Sequence, residues 1–174
     1  MQRNSNLNNL PSQNEMAELE NLFKQNELDK LEKKIGKLIF TYPKIPILYN
    51  ILGVVFQKKN NIDKAILNFK KAIDLKPKFE QAHNNLGNIL KNTGKFEKAV
   101  NCYREALKIN PNYAEAYSNL GNALTEIGKI EEAILNHQKA LKLNPKYKMA
   151  NMNESIARLT LGEFEIAGKS MKHV

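Results

Sequence analysis

The chain repeats itself every 34 residues, because residues 80–113 align without a gap over residues 114–147. A third copy in the same register occupies residues 46–79, and a weaker copy begins at Lys148. A period of this length is typical of chains built from helix pairs that stack in sequence order. One such pair cannot bury its apolar face alone, so the copies are expected to stack on one another.

The apolar positions inside each copy predict two helices. The first helix of the third copy carries residues at i, i+3, i+4 and i+7, which share one helix face: Tyr117, Leu120, Gly121 and Leu124. The second helix of the first copy offers alanines and an aromatic to meet such a face: Ala65, Phe69, Ala72 and Ile73. Small residues at Gly53, Gly87 and Gly121 should let the paired backbones approach closely. We predict helix pairs at 46–59 and 62–75, 80–93 and 96–109, 114–127 and 130–143, and 148–161 and 164–173.

Turn residues recur between the predicted helices. Gly94, Gly128 and Gly162 occupy the point where a left-handed residue ends a helix, and Asn60 takes the same place in the first copy. We therefore expect a positive φ at Asn60. Prolines end the second helix of each copy and suit the first turn of the next: Pro77, Pro111 and Pro145.

The recurring residues resemble the tetratricopeptide repeat. They comprise a Leu-Gly pair, an Ala, an aromatic, a second Ala and a Pro, as in Leu86-Gly87, Ala99, Tyr103, Ala106 and Pro111. In the third copy His137 replaces the aromatic, and we interpret it as a packing substitute. The resemblance implies an all-α solenoid of stacked antiparallel helix pairs forming a right-handed superhelix. It divides the chain into a disordered tail (1–11), a divergent N-terminal helix pair (12–45), three repeats (46–79, 80–113, 114–147) and a degenerate or truncated repeat (148–174).

The resemblance also implies a binding groove, because the first helices of such repeats line a concave surface. In the first copy the matching positions are Ile47, Asn50, Ile51, Val54 and Gln57. The expected peptide-binding residues are Asn84, Asn85, Asn88, Lys91, Ser118, Asn119, Asn122, Met149, Met152, Asn153 and Ile156. Asn85, Asn119 and Asn153 share one repeat position and would form an amide ladder like that of O-linked N-acetylglucosamine transferase. Such a ladder holds a peptide backbone or, in the alternative, only solvates the groove and ties neighbouring helices together.

Composition narrows the function. The net charge of +9 is spread over every segment, and no aromatic stacking platform accompanies it, so we expect no nucleic-acid partner. The chain has one cysteine, no secretory leader and no apolar run long enough to cross a bilayer, which favours a cytoplasmic protein without membrane contact. Catalytic and metal-binding motifs are absent, so we expect no enzyme activity, no cofactor and no metal.

Two functions remain open. The first is a scaffold that binds an extended or helical peptide segment of a protein partner. The alternative is the repeat region of a larger glycosyltransferase- or sulfotransferase-type enzyme, serving substrate or partner recognition. A chaperone-tail clamp is disfavoured, because the positions that hold a terminal carboxylate in such clamps are mostly uncharged here, with Lys91 as the exception.

The last copy carries an apolar stripe on its first helix, formed by Met149, Met152, Ile156 and Leu159. The stripe either anchors a partner, a second copy of the chain or a further domain, or it becomes the packing face of a rotated helix. Self-association through the C-terminal repeat belongs to the first interpretation.

Overall fold

A computed structural model describes residues 10–146 and 148–171, with backbone alone for Met149 and for 163–171. Residues 1–9 of the predicted tail lie outside this part. The described residues form α-helices and no strands. The helices are α1 (Gln13–Lys24), α2 (Leu28–Thr41), α3 (Pro46–Lys58), α4 (Ile62–Leu75), α5 (Glu80–Asn92), α6 (Phe96–Ile109), α7 (Ala114–Glu126), α8 (Ile130–Leu143) and α9 (Lys148–Met171). The predicted bounds of α3 to α8 are confirmed to within one residue.

The chain forms two compact units, which divide between Ala82 and His83. In the first unit α1 packs on α2, α2 on α3 and α3 on α4, around a core of Leu19, Leu31, Ile35, Leu38, Leu48 and Val55. In the second unit α6 packs on α7, α7 on α8 and α8 on α9. The predicted all-helical fold of stacked pairs is thereby confirmed.

Each full repeat is closed by an aromatic or imidazole ring lying on a glycine. A Cβ atom built on Gly53 would lie 2.6 Å from Cε1 of Phe69, and one on Gly87 would lie 2.6 Å from Cε1 of Tyr103. On Gly121 it would lie 2.5 Å from Cε1 of His137, which is fully buried. The packing role predicted for His137 is confirmed, and the three glycines are required because any side chain would displace the ring.

The turns inside the helix pairs follow one pattern. Asn60 has φ 57°, as predicted, and Gly94 and Gly128 have φ 72° and 76°. In each turn the next N–H closes back to the carbonyl five residues earlier, as in the bond from Asn61 N to Phe56 O at 2.8 Å. Asn26 has φ 55° and the same closure, from Glu27 N to Leu22 O at 3.0 Å. The 34-residue register thus extends into the divergent N-terminal pair.

Two predictions about the ends of helices are wrong. The prolines do not lie in the first turn of the next helix, because α5 begins at Glu80, beyond Pro77. Proline has no backbone N–H to donate, so its role here is to prevent the preceding helix from continuing. The last copy is not two helices with a turn at Gly162, because α9 runs unbroken from Lys148 to Met171. Its first half lacks the face on which a second helix would pack, so nothing stabilises a turn there.

Candidate functional site

The first helices of the second unit line a groove of about 510 Å³. Its walls come from the C-terminal half of α5, the start of α6, the C-terminal half of α7 and the first half of α9. The lining residues are Lys91, Asn92, Phe96, Asn122, Thr125, Glu126, Asn153 and Ile156. Because α5, α7 and α9 are successive first helices of the repeat, equivalent positions recur along the groove, as in a ladder.

The groove is electrostatically balanced. Among its lining residues Lys91 is the one cation and Glu126 the one anion. Asn92, Asn122, Thr125 and Asn153 contribute uncharged polar groups to the lining, and Phe96 and Ile156 contribute apolar contacts. A surface of this kind offers hydrogen-bond donors and acceptors without selecting for a charged ligand.

Asn122 and Asn153 supply the available amides. Both side chains are half-buried, and neither has a hydrogen-bond partner within the described part of the chain. Each amide offers one carbonyl acceptor and two N–H donors, which is the set needed to pair with a peptide backbone. The two residues come from different repeat positions, so they are not two rungs of the predicted ladder.

The other members of the predicted ladder are engaged within the protein. Asn119 donates from Nδ2 to Oδ1 of Asn84 at 3.1 Å, which ties α7 to α5. Asn85 is half-buried on α5 and also interacts with a neighbour. Asn153 is therefore the rung that lines the groove.

Two predicted contact residues lie beneath the surface. Asn84 is fully buried and donates from Nδ2 to Tyr113 Oη at 3.3 Å and to Glu115 Oε1 at 3.1 Å. Ser118 occupies the same repeat position and is 1% exposed. The side chain of Asn84 faces α7, which is the first helix of the next repeat. A peptide in the groove would not reach it while the helices stay in this arrangement.

Asn88 is engaged by the second helix of its own repeat. Its Oδ1 accepts a hydrogen bond of 2.8 Å from the hydroxyl of Tyr103. Burial raises the pKa of Tyr103 above its ordinary value, which keeps the hydroxyl protonated and able to donate. Asn122 is the equivalent residue one repeat later, where His137 replaces the tyrosine and makes no such bond. The loss of this donor leaves the Asn122 amide available.

The predicted apolar stripe of α9 is solvent-exposed where it is described. Met152 is 53% exposed, Ile156 50% and Leu159 69%, while the side chain of Met149 lies outside the described residues. The helix packs through other residues: Ala150 and Ala157 are fully buried, and Ala157 contacts Ile130 and Ile134 of α8. The alternative of a rotated helix is therefore wrong for the described residues.

Models of the tetratricopeptide repeat match residues 53–94, 87–128 and 114–147, which together make up more than half of the chain. The chain belongs to the tetratricopeptide repeat family. None of the curated proteins compared with the chain matches it in sequence.

Solved tetratricopeptide repeat structures share the fold. The crystal structure of MamA superposes with a TM-score of 0.74 at 21% identity, over 88% of this chain and 90% of that one. The first repeat domain of Spaghetti (RPAP3), bound to the HSP90 peptide SRMEEVD, gives 0.66 at 25% identity, over 67% and 93%. YrrB, described as having an unusual peptide-binding site, gives 0.70 at 18% identity, over 81% and 73%. These names lend no support to the predicted likeness to transferase repeat domains.

A second groove, of about 570 Å³, lies between α1 and α3 of the first unit. Its lining is mainly apolar and includes Met16, Ala17, Phe23, Ile51 and Val54. The α3 side was predicted from the repeat register, whereas the α1 side was missed. The helical spacing of Met16, Leu19 and Phe23 was the available signal.

Two further observations complete the survey of the described residues. No group of three or more His, Cys, Asp or Glu side chains among them could hold a metal ion. None of their helices is long and apolar enough to cross a membrane.

Proposed function

We propose that this tetratricopeptide repeat protein is an interaction scaffold that holds an extended peptide segment of a partner protein in the polar groove of its second unit. The observation that carries the proposal is that Asn122 and Asn153 line that groove and that neither amide has a hydrogen-bond partner among the described residues. The likeness to a repeat domain bound to a peptide, at 25% identity, supports the same function.

Backbone recognition explains the chemistry of the groove. An extended peptide presents one N–H and one C=O per residue, and an amide side chain can satisfy both at once. Successive first helices lie roughly 10 Å apart and an extended chain rises about 3.3 Å per residue, so Asn122 on α7 and Asn153 on α9 would meet peptide units about three residues apart. Phe96 and Ile156 would then contact the side chains of the peptide that point into the groove.

The balance of charge argues against a clamp for a terminal carboxylate. Such a clamp needs several cations, and the groove lining contains one lysine, Lys91, and one carboxylate, Glu126. The partner segment is therefore expected to be internal to its own protein.

A random library of peptides about twelve residues long would supply the probe, since that length exceeds the span of the groove. We expect Asn122→Ala together with Asn153→Ala to weaken binding of the selected peptides by about tenfold, because each lost hydrogen bond contributes about 0.5 to 1.5 kcal/mol. Isothermal titration calorimetry would measure the change. Amidation of the peptide's C-terminus should leave the affinity unchanged.

Asn101→Ala is the matched control, because Asn101 is an exposed asparagine on α6 that does not line the groove. Circular dichroism would show that all the variants keep their helix content. Equal affinity of the double variant and the control would contradict the proposal. Loss of binding on amidation would instead indicate a carboxylate clamp.

A further inference from the structure

The groove between α1 and α3 is an apolar surface, and the peptide binding proposed for the second unit gives it no role. Leu19 forms its floor, and Met16, Ala17, Phe23, Ile51 and Val54 form its walls. A groove between two helices, lined in this way, has the shape and chemistry that accept the apolar face of a third helix.

The same chain carries a helix face of the required kind. Met152, Ile156 and Leu159 follow one another at i, i+4 and i+7 on α9, and each is at least half exposed. Position by position, Met152 corresponds to Asn50, Asn84 and Ser118, which are all buried. Asn84 is buried by contacts with α7, the first helix of the next repeat. The exposed Met152 therefore lies on a surface where a further helix could pack in the same way.

The charges around the two surfaces are largely paired. Glu20 is the one carboxylate in the groove lining and forms an ion pair with Lys24, and Lys58 lies over the ring of Phe23. Beside the stripe of α9, Arg158 forms an ion pair with Glu154. Charge therefore does not oppose the docking of the stripe, and the apolar contacts decide it.

We propose that the apolar stripe of α9 in one copy of the chain docks in the apolar groove between α1 and α3 of a second copy. The two surfaces differ, so the contact is head-to-tail and leaves each pair with one unused groove and one unused stripe. The proposal uses other residues than those assigned to peptide binding, apart from Ile156, which lines the polar groove as well.

Sedimentation velocity of the full chain, from about 1 µM to about 500 µM, tests the proposal in the range of weak interfaces. The wild type should shift from monomer towards dimer and larger species as its concentration rises. Ala17→Lys blocks the groove and keeps a good helix former at an exposed position of α1. Met152→Gln with Leu159→Gln removes the stripe while leaving Ile156 in place. Each change should weaken self-association by about tenfold.

Leu67→Gln is the matched control, because Leu67 is 67% exposed on α4 and lines neither groove. Its self-association should equal that of the wild type. An equimolar mixture of the groove variant and the stripe variant should form dimers as readily as the wild type, since each mixed pair retains one intact groove and one intact stripe. Larger species should be absent from the mixture.

Three outcomes would overturn the proposal. If the wild type stays monomeric at the highest concentration, the groove does not bind a second copy of the chain, and a helix of another protein becomes the candidate ligand. Normal association of Ala17→Lys would place the contact elsewhere, for example between two α9 stripes. Failure of the mixture to associate, with both variants still helical, would exclude a head-to-tail contact.

Discussion

His137 shows how one residue changes the energetics of a repeat. It takes the place of Phe69 and Tyr103 and lies fully buried on Gly121, yet neither ring nitrogen has a hydrogen-bond partner among the described residues. Burial lowers the pKa of His137 below its ordinary value of 6.5, and the nearby Glu154 carboxylate offsets only part of this effect. Burial alone would raise the pKa of Glu154, but hydrogen bonds from Arg158 and Gln138 hold it below 4.5.

A pH dependence of stability follows from the buried imidazole. Because its pKa is lower in the folded state, the unfolded chain binds the proton more readily, so the contribution of His137 is fully present above pH 6.5 and is lost as the pH falls. We expect the free energy of unfolding to fall between pH 7.5 and 5.5, as measured by urea denaturation. His137→Phe should reduce this dependence and stabilise the protein by about 1 kcal/mol at pH 7.5, since it removes two unpaired buried nitrogens.

A pH dependence that is unchanged in His137→Phe would assign the effect to other groups. A destabilised variant at both pH values would mean that the imidazole has a partner outside the described residues. His137→Ala is the comparison for lost volume, and it should destabilise the protein at both pH values.

At the scale of the element, α9 departs from the repeat. The positions that should face its own second helix hold polar or charged residues, Asn151, Glu154, Ser155 and Arg158, in place of aromatic, Leu, Gly and aromatic. The positions that face the preceding repeat are kept, since Ala150 and Ala157 are buried like Ala116 and Ala123. Helix α9 therefore packs on the preceding helices α7 and α8, and no later helix packs on it within the described residues. A glycine at the turn position is then insufficient to end the helix.

Three glycines at the same repeat position provide a matched test. A Cβ atom on Gly94, Gly128 or Gly162 would meet nothing within 4 Å, so substitution by alanine reports on the backbone alone. Gly94→Ala and Gly128→Ala should each destabilise the protein by about 1 kcal/mol, because both residues have positive φ. Gly162→Ala should instead raise the helix content and stability by up to about 1 kcal/mol. Thermal unfolding followed by circular dichroism would compare them; equal destabilisation by all three would indicate a turn at Gly162.

At the scale of the whole molecule, the sequence predicts the structural features that recur with the 34-residue period. Residues that recur every 34 positions have the same environment in each copy, so the helix bounds, the glycine contacts and the positive φ of Asn60 could all be read from the pattern. The turn at Asn26 was within reach by the same reasoning, since it stands one period before Asn60.

The departures arise where a side chain depends on its neighbours rather than on its position. Asn84 and Asn85 are adjacent amides with the same chemistry, and the burial of Asn84 against α7 depends on the three-dimensional packing. The repeat position of Asn119 predicts a rung of the ladder, but its side-chain N–H group already donates a hydrogen bond to Asn84. The α1 side of the apolar groove was missed because that pair lacks most of the repeat's residues. Local pairing of this kind carries no periodic signal.

The central claim is that Asn122 and Asn153 contact a bound peptide, and side-chain amide resonances report on this most directly. In a ¹H–¹⁵N correlation spectrum recorded during titration with a library-selected peptide, the NH₂ signals of Asn122 and Asn153 should shift. Those of Asn101, exposed on α6, should stay in place. Shifts confined to Asn101 and other residues outside the groove, with Asn122 and Asn153 unchanged at saturation, would contradict the account.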